Sequence, residues 1–301
     1  MLKLILGFIS ISLLSGLSVS QTKTDREKAG LIGPVKSIQS KSVDYSGDKT
    51  VGEGFMKTDG DLVIYDESGR ESDRKLVSDF GEAMGKMSRT FDKSGLLTEY
   101  RWVDPKGHLI KKEVYSYTDS KLVQTLTYSG VLALVEKTVN DYDSRGRLQA
   151  ENYYDPVKPV AKTIYKYDDK DNLVETAFFM ANGRKATAPV GPCLGAHRIT
   201  YGYGDNRLVI AQAFFEDDGT KKKSYQWTYD DKGHIVRYTN ESRWSTTSFT
   251  YKYEFDSHGN WTKQIATGTS LEKGLTVFGT PPTPYVRSSV TTREISYYRT
   301  M

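Results

Sequence analysis

The chain has 301 residues, with 42 Lys and Arg against 38 Asp and Glu, 21 Tyr and a single Cys. That balance lacks the concentrated basic face that nucleic acid requires, and one cysteine excludes an intramolecular disulfide framework. Counting Gly and omitting Tyr, apolar content is about 39 % against about 45–50 % for ordinary globular domains, which suits a sheet with wet faces better than a thick core.

The chain opens on "MLKLILGFISISLLSGLSVSQ". One lysine precedes an apolar run from Leu4 to Leu17, too short to cross a bilayer as a helix, and small residues stand at Ser18 and Ser20. This predicts a cleavable signal peptide over residues 1–20 and a secreted or periplasmic mature chain. No later apolar run approaches membrane length, so no transmembrane segment is expected in that chain. The only cysteine, Cys193, is far downstream, so no lipid-attachment cysteine follows the leader. Residues 21–28 read as a flexible lead-in, and "GPVKSIQSKSVDY" from Gly33 as the first strand. Residues 21–301 are expected to form one β-repeat domain.

From residue 65 onward one motif recurs: aromatic, Asp, two variable residues, Gly, one variable residue, aliphatic. It starts at Tyr65, Phe91, Tyr142, Tyr167, Tyr229 and Phe255, with a degenerate copy at Tyr117, and most steps are 25 or 26 residues. So regular a period signals repeated supersecondary units. Asp favours the first position of a type I turn because its carboxylate accepts a backbone N–H two residues on. Gly favours the position needing a positive φ. Asp66 with Gly69, Asp92 with Gly95, Asp143 with Gly146, Asp230 with Gly233 and Asp256 with Gly259 are therefore read as hairpin turns. Asp168 begins a turn whose glycine is replaced by Asp171, and Lys121 replaces it in the degenerate copy.

A weaker set of turn signals lies between these, and the connecting segments alternate in polarity. In "TSFTYKYEFD", Phe249, Tyr251, Tyr253 and Phe255 share one face, while Thr250, Lys252 and Glu254 share the other. The expectation is an all-β antiparallel meander of about fourteen strands, curled into an open sheet or partial β-shell. Two segments break the rhythm. Residues 183–198 form an irregular Gly-rich loop holding Cys193 and His197. Residues 274–289 form a Pro-rich loop that excludes a central strand.

The Tyr-Asp units, such as Tyr165-Lys-Tyr-Asp168, Trp227-Thr-Tyr-Asp230 and Asn140-Asp-Tyr-Asp143, resemble those of the rearrangement-hotspot (RHS) family of secreted repeat proteins. The resemblance covers roughly residues 60–298 and implies the β-repeat architecture and an extracytoplasmic setting. It does not extend to the toxin part of the large members.

No cofactor or metal site is expected, because His108, His234 and His258 each sit at a solvated turn. No catalytic constellation stands out either. Trp102, Trp227, Trp244 and Trp261 are the candidate binding residues, as platforms for sugar rings or peptides, set against ordinary cross-strand packing. The functional expectation is a non-catalytic scaffold whose partner is a carbohydrate, an envelope polysaccharide, or an envelope protein. The alternatives are a polymer-degrading hydrolase and an outer-membrane β-barrel.

Overall fold

The structure is a computed structural model, and it describes residues 23–47, 54, 56–78, 81–188, 195–273 and 284–299. The leader, Cys193 and residues 274–283 of the Pro-rich loop lie outside the described residues. A four-residue helix, α1 (Asp25–Lys28), comes first. Its Thr24–Glu27 capping box explains why a segment read as a flexible lead-in takes this form. Strands follow as β1 (Val35–Ser46), β2 (Met56–Tyr65), β3 (Glu71–Val77), β4 (Ala83–Phe91), β5 (Leu97–Val103) and β6 (Leu109–Thr118). Next come β7 (Lys121–Ser129), β8 (Leu134–Tyr142), β9 (Leu148–Asp155), β10 (Lys158–Tyr167), β11 (Leu173–Met180) and β12 (Arg198–Tyr203). The last six are β13 (Val209–Phe215), β14 (Lys221–Tyr229), β15 (Ile235–Ser242), β16 (Ser245–Phe255), β17 (Trp261–Glu272) and β18 (Tyr285–Tyr297).

Every strand pairs antiparallel with its neighbours in sequence, and β1 also pairs with β18. The sheet is therefore a closed 18-stranded up-and-down β-barrel. This corrects the expectation of about fourteen strands in a curled open sheet or partial shell. The extra strands come from reversals near the start of the sheet, between β1 and β2 and at Ser78–Glu82, that the turn signals did not mark. Closure comes from the long β1–β18 ladder, which runs from Val35 opposite Tyr297 to Ser46 opposite Arg287. It removes both unpaired edges, the feature that makes an open sheet liable to associate. The last strand also starts earlier than expected: Tyr285–Ser289 belong to β18, past the last proline.

The seven turns of the Tyr-Asp series and the reversal after Tyr203 fall at one end of the barrel, here called the motif rim, where β1 begins at Val35 and β18 ends at Tyr297. The other turns form the plain rim. The irregular segment after β11 adds length at the plain rim without changing the rim of later motif turns, and Phe179 forms a bridge with Lys185 there.

Alternate residues point into and out of a closed barrel. Exposure separates the two sets, since the concave side is the more crowded. On β16, Tyr251 and Tyr253 are half-buried, whereas Thr250, Lys252 and Glu254 are exposed. On β18, Thr291, Arg293 and Ile295 alternate in the same way with exposed Thr292, Glu294 and Ser296. Buried apolar side chains group into two small clusters, one around Val35, Ile38 and Tyr65, the other around Ile199, Phe214 and Tyr225. More than incidental contact occurs only between adjacent strands, so opposite walls stand apart. About sixteen to eighteen strands is the size at which a barrel encloses an aqueous channel instead of a packed interior.

Candidate functional site: the lumen and its rims

The motif turns share one geometry. In the turn at Asp230, the Asp230 N–H donates to the His234 carbonyl and the Gly233 N–H to the Asp230 carbonyl. The Asp230 Oδ1 accepts from the Lys232 and His234 N–H groups at 3.0 and 2.8 Å. Asp92, Asp143, Asp168 and Asp256 accept in the same two-and-four pattern, and Asp66 accepts from the Arg70 N–H. Gly69, Gly95, Gly146, Gly233 and Gly259 occupy the left-handed region, with φ between 78° and 87°. Asp171 takes that position at φ 64°. The degenerate copy is a tighter two-residue reversal, with Asp119 and Ser120 both at positive φ between paired Thr118 and Lys121.

Burial raises the Asp230 pKa, and the His234 side-chain and backbone hydrogen bonds more than offset this, so the net shift is downward. Asp143 follows suit, with Arg147 supplying the hydrogen bonds. Such carboxylates are ionised anchors of the backbone. His108 and His234 are held by their own turn aspartates at 3.0 and 2.9 Å, and His258 stacks on Tyr297 at 4.1 Å. Among the described residues no three His, Cys, Asp or Glu side chains converge as a metal site would require.

The tyrosine of the motif has a second role that sequence reasoning missed. Each hydroxyl donates to the carbonyl of the aliphatic residue ending the preceding motif turn. Tyr117 bonds Leu97, Tyr142 bonds Leu122, Tyr167 bonds Leu148, Tyr203 bonds Leu173 and Tyr229 bonds Val209, all at 2.8 or 2.9 Å. At the position of Phe255, which has no hydroxyl, Tyr253 makes the bond to Ile235. The signal was present in the coincidence of a tyrosine and an aliphatic at fixed places in each repeat. Asn260, 1 % exposed, completes the seam: its amide pairs with both the N–H and the carbonyl of Ile32 and donates to the Tyr297 hydroxyl.

Inside the barrel the wall divides into arcs. On β12–β16 it is aromatic: Tyr225 lies 5.2 Å from Phe214, 5.8 Å from Trp227 and 5.8 Å from Tyr238, ring centre to ring centre. Lys223 covers Phe214 at 4.6 Å, and Tyr251 and Tyr253 continue the surface on β16. On β3–β6 the wall is charged. Arg74 grips Glu71 through two bonds of 2.9 Å, and Arg89 reaches the same carboxylate. Burial is the largest influence on Glu71 and raises its pKa. The Arg74 hydrogen bond and the Arg89 and Arg74 charges outweigh it, so the group is held below the usual carboxylate range. Between the two arcs, Glu151 accepts from both Tyr153 and Tyr165.

The four tryptophans do not come together. Trp227 belongs to the aromatic arc. Trp102 lies on β5 facing the lumen, with its indole N–H buried and unpartnered. Trp261 is covered by the Arg293 guanidinium, 3.3 Å from the ring centre, and burial lowers the Arg293 pKa to about 10. Trp244 is 64 % exposed at the β15–β16 tip, with Arg243 over its ring.

The outer wall carries ion pairs between neighbouring strands: Lys86 with Asp73, Lys112 with Glu99, Glu175 with Lys166 and Arg198, Lys263 with Glu254, and Lys41 with Glu294. No helix among the described residues is long and apolar enough to cross a membrane.

No protein-family model and no curated protein matches the chain. Among solved structures it is similar to a porin-like protein from Bacteroides uniformis, at 12 % identity and a TM-score of 0.42, covering 88 % of this chain and 99 % of that one. It is also similar to TcdB2-TccC3 without its hypervariable C-terminal region, at 12 % identity and a TM-score of 0.27, over 79 % of this chain and 16 % of that one. A LolA superfamily protein from Nitrosomonas europaea overlaps at 10 % identity and a TM-score of 0.20, covering 91 % and 92 %. All are distant in sequence and in structure. The barrel itself rests on the strand pairing.

Proposed function

We propose that this is a non-catalytic barrel of the cell envelope or its exterior, whose lumen holds an extended polysaccharide against the aromatic arc of β12–β16. The observation that carries the reading is the make-up of that arc: Trp227, Tyr238 and Tyr251, set around the buried Tyr225, give a row of rings with polar edges on a wall that no opposite strand covers. Aromatic rings with polar edges stack on sugar faces and hydrogen-bond their hydroxyls. The carboxylates at the turns are engaged by backbone N–H groups, and Glu71 is neutralised by two arginines, which supports a binding role over hydrolysis.

The test is a panel of envelope and extracellular polysaccharides offered to the full chain, read by quenching of tryptophan fluorescence. Binding that falls at least about tenfold in Trp227→Ala or Tyr251→Ala supports the lumen site. Unaltered binding in both variants, or catalysed cleavage of the polymer, overturns it.

A second reading, the outer-membrane β-barrel, is favoured by closure and by the even number of antiparallel strands. The charges along the outer wall count against it, since each would face hydrocarbon at a cost of about 2–4 kcal/mol for Lys or Arg near the midplane. Fractionation separates the two: release without detergent supports the first reading, and recovery only in detergent supports the second.

A further inference from the structure

The exposed large apolar side chains are not spread evenly over the barrel. Met84, Ile110, Val131, Leu132, Leu134, Val135, Val157, Val160, Met180 and Trp244 all lie at or next to the plain rim. Within β4–β11 they follow the repeat. Met84, Ile110, Val135 and Val160 are the first outward-facing residues of the four strands that leave this rim, spaced by 26, 25 and 25 positions. Two residues further along each strand comes a lysine: Lys86, Lys112, Lys137 and Lys162. Opposite those lysines on one neighbouring strand stand Val103, Tyr128, Tyr154 and Phe179, and on the other Lys75, Arg101, Leu126 and Asn152. The arc β4–β11 thus carries, from the rim inward, apolar tips at the β7–β8 and β9–β10 turns, an apolar collar, and a belt of lysines, each with an aromatic or aliphatic side chain on one side. Lys137 lies over the Tyr154 ring at 4.3 Å.

The tip of the β7–β8 turn adds a second, independent observation. The matching plain-rim turns place Gly81, Gly107, Gly183 and Gly219 in the left-handed region, but here Leu132 occupies it at φ 59°. A side chain there carries strain of roughly 1–2 kcal/mol. The strained residue is 60 % exposed and its neighbour Val131 is 86 % exposed, so folding gains little from either. Val157, at the next plain turn, is 78 % exposed.

We propose that the plain rim on the β4–β11 side docks on the surface of an anionic phospholipid bilayer, with tips and collar dipping into the boundary between headgroups and acyl chains. The depth fits. Collar and belt lie two residues apart, about 7 Å at a strand rise of about 3.3 Å per residue, against an interfacial burial of about 5–10 Å for peripheral segments. Lysine stems and aromatic rings at that level suit the headgroup layer, where one end of the side chain is apolar and the other wet. Among the described residues no carboxylate forms an ion pair with Lys137 or Lys162, so these remain for lipid phosphates. Spanning is not implied, because Glu99, Asp141 and Glu175 face outward beyond the belt, and a crossing strand needs about 9–11 residues. A second copy stacked rim to rim would cover the tips but leave the collar residues, which face sideways, in water. A bilayer surface receives both. This inference is independent of what the lumen binds.

The test is flotation of the full chain with phosphatidylglycerol–phosphatidylcholine vesicles and with phosphatidylcholine vesicles alone. Binding is expected to the anionic vesicles, weakening with added salt. The triple variant I110D/V135D/V160D should lose more than about a hundredfold in affinity. Lys137→Glu with Lys162→Glu should lose at least about tenfold. Thr228→Asp, outward on the opposite wall, should bind as the parent does. Every altered side chain is on the outer wall, so the melting temperatures of all variants serve as the folding control. The proposal is overturned if the parent ignores both kinds of vesicle, or if the triple variant folds and binds undiminished. It is also overturned if the collar substitutions abolish a rim-to-rim dimer in sedimentation while vesicles stay unbound.

Discussion

The two rims use nearly the same hairpin geometry for different ends. At the motif rim six of the turns begin with an aspartate whose carboxylate is taken up by the backbone, and tyrosine hydroxyls tie one turn to the next. At the plain rim the backbone closes with the same pair of hydrogen bonds, as Asp104–His108 and Ser129–Ala133 show, but several tips carry valine, leucine or tryptophan. A hairpin fixes φ and ψ at its corner and little else. Residues that serve the turn are consumed at one end, and residues free of that duty can serve a surface at the other.

The largest break in this contrast is expected at the motif rim's seam. Asn260→Ala removes three hydrogen bonds, two of them to the Ile32 backbone, so it should cost about 3 kcal/mol in a urea titration. A loss below about 1 kcal/mol would mean that the β1–β18 ladder closes the barrel without this clamp.

Next is the turn carboxylate. Asp230→Ala should cost about 2 kcal/mol, because two backbone N–H groups and His234 lose their acceptor. The pH dependence follows with a definite sign. The folded pKa lies below the ordinary aspartate value of 3.8, so the contribution is complete above that value and is lost as pH falls through the folded pKa. Thermal midpoints of the parent should therefore hold near neutrality and drop below about pH 4, and the drop should be smaller in Asp230→Ala. An equal drop in parent and variant would place the acid sensitivity elsewhere, with Glu71 the first group to examine.

At the plain rim the opposite sign is expected. Leu132→Gly relieves a left-handed side chain and should raise stability by about 1 kcal/mol, as judged by the urea midpoint. The same exchange at the motif rim in reverse, Gly233→Leu, should lower it by a similar amount. Two changes of the same sign would show that the rims do not differ in the way described.

The smallest effect should come from the tyrosine staples. Tyr167→Phe keeps the ring and loses one half-buried hydrogen bond, worth about 1 kcal/mol. The natural phenylalanines at 91 and 255 already show that the hairpin tolerates the change.

The period was legible because Asp and Gly at the motif turns act locally: a carboxylate and its own backbone, a φ that glycine adopts freely. The strands were undercounted at the start of the sheet, where the reversals between β1 and β2 and at Ser78–Glu82 were not marked as turns. Tryptophans gave poor guidance to a site, since ring chemistry alone does not distinguish Trp261, sealed under Arg293, from Trp227 on the open wall. The Tyr-to-carbonyl bonds went unseen because each joins consecutive repeats, and a motif read one copy at a time contains only one partner.

By itself, the sequence determined the antiparallel meander, the spacing of its reversals and the alternation of its two faces, all of which depend on interactions between residues a few positions apart. Closure, the direction in which each face points and the asymmetry of the rims were decided only in three dimensions. They hinge on Val35 finding Tyr297 across almost the whole chain, and no local preference of either residue encodes that encounter.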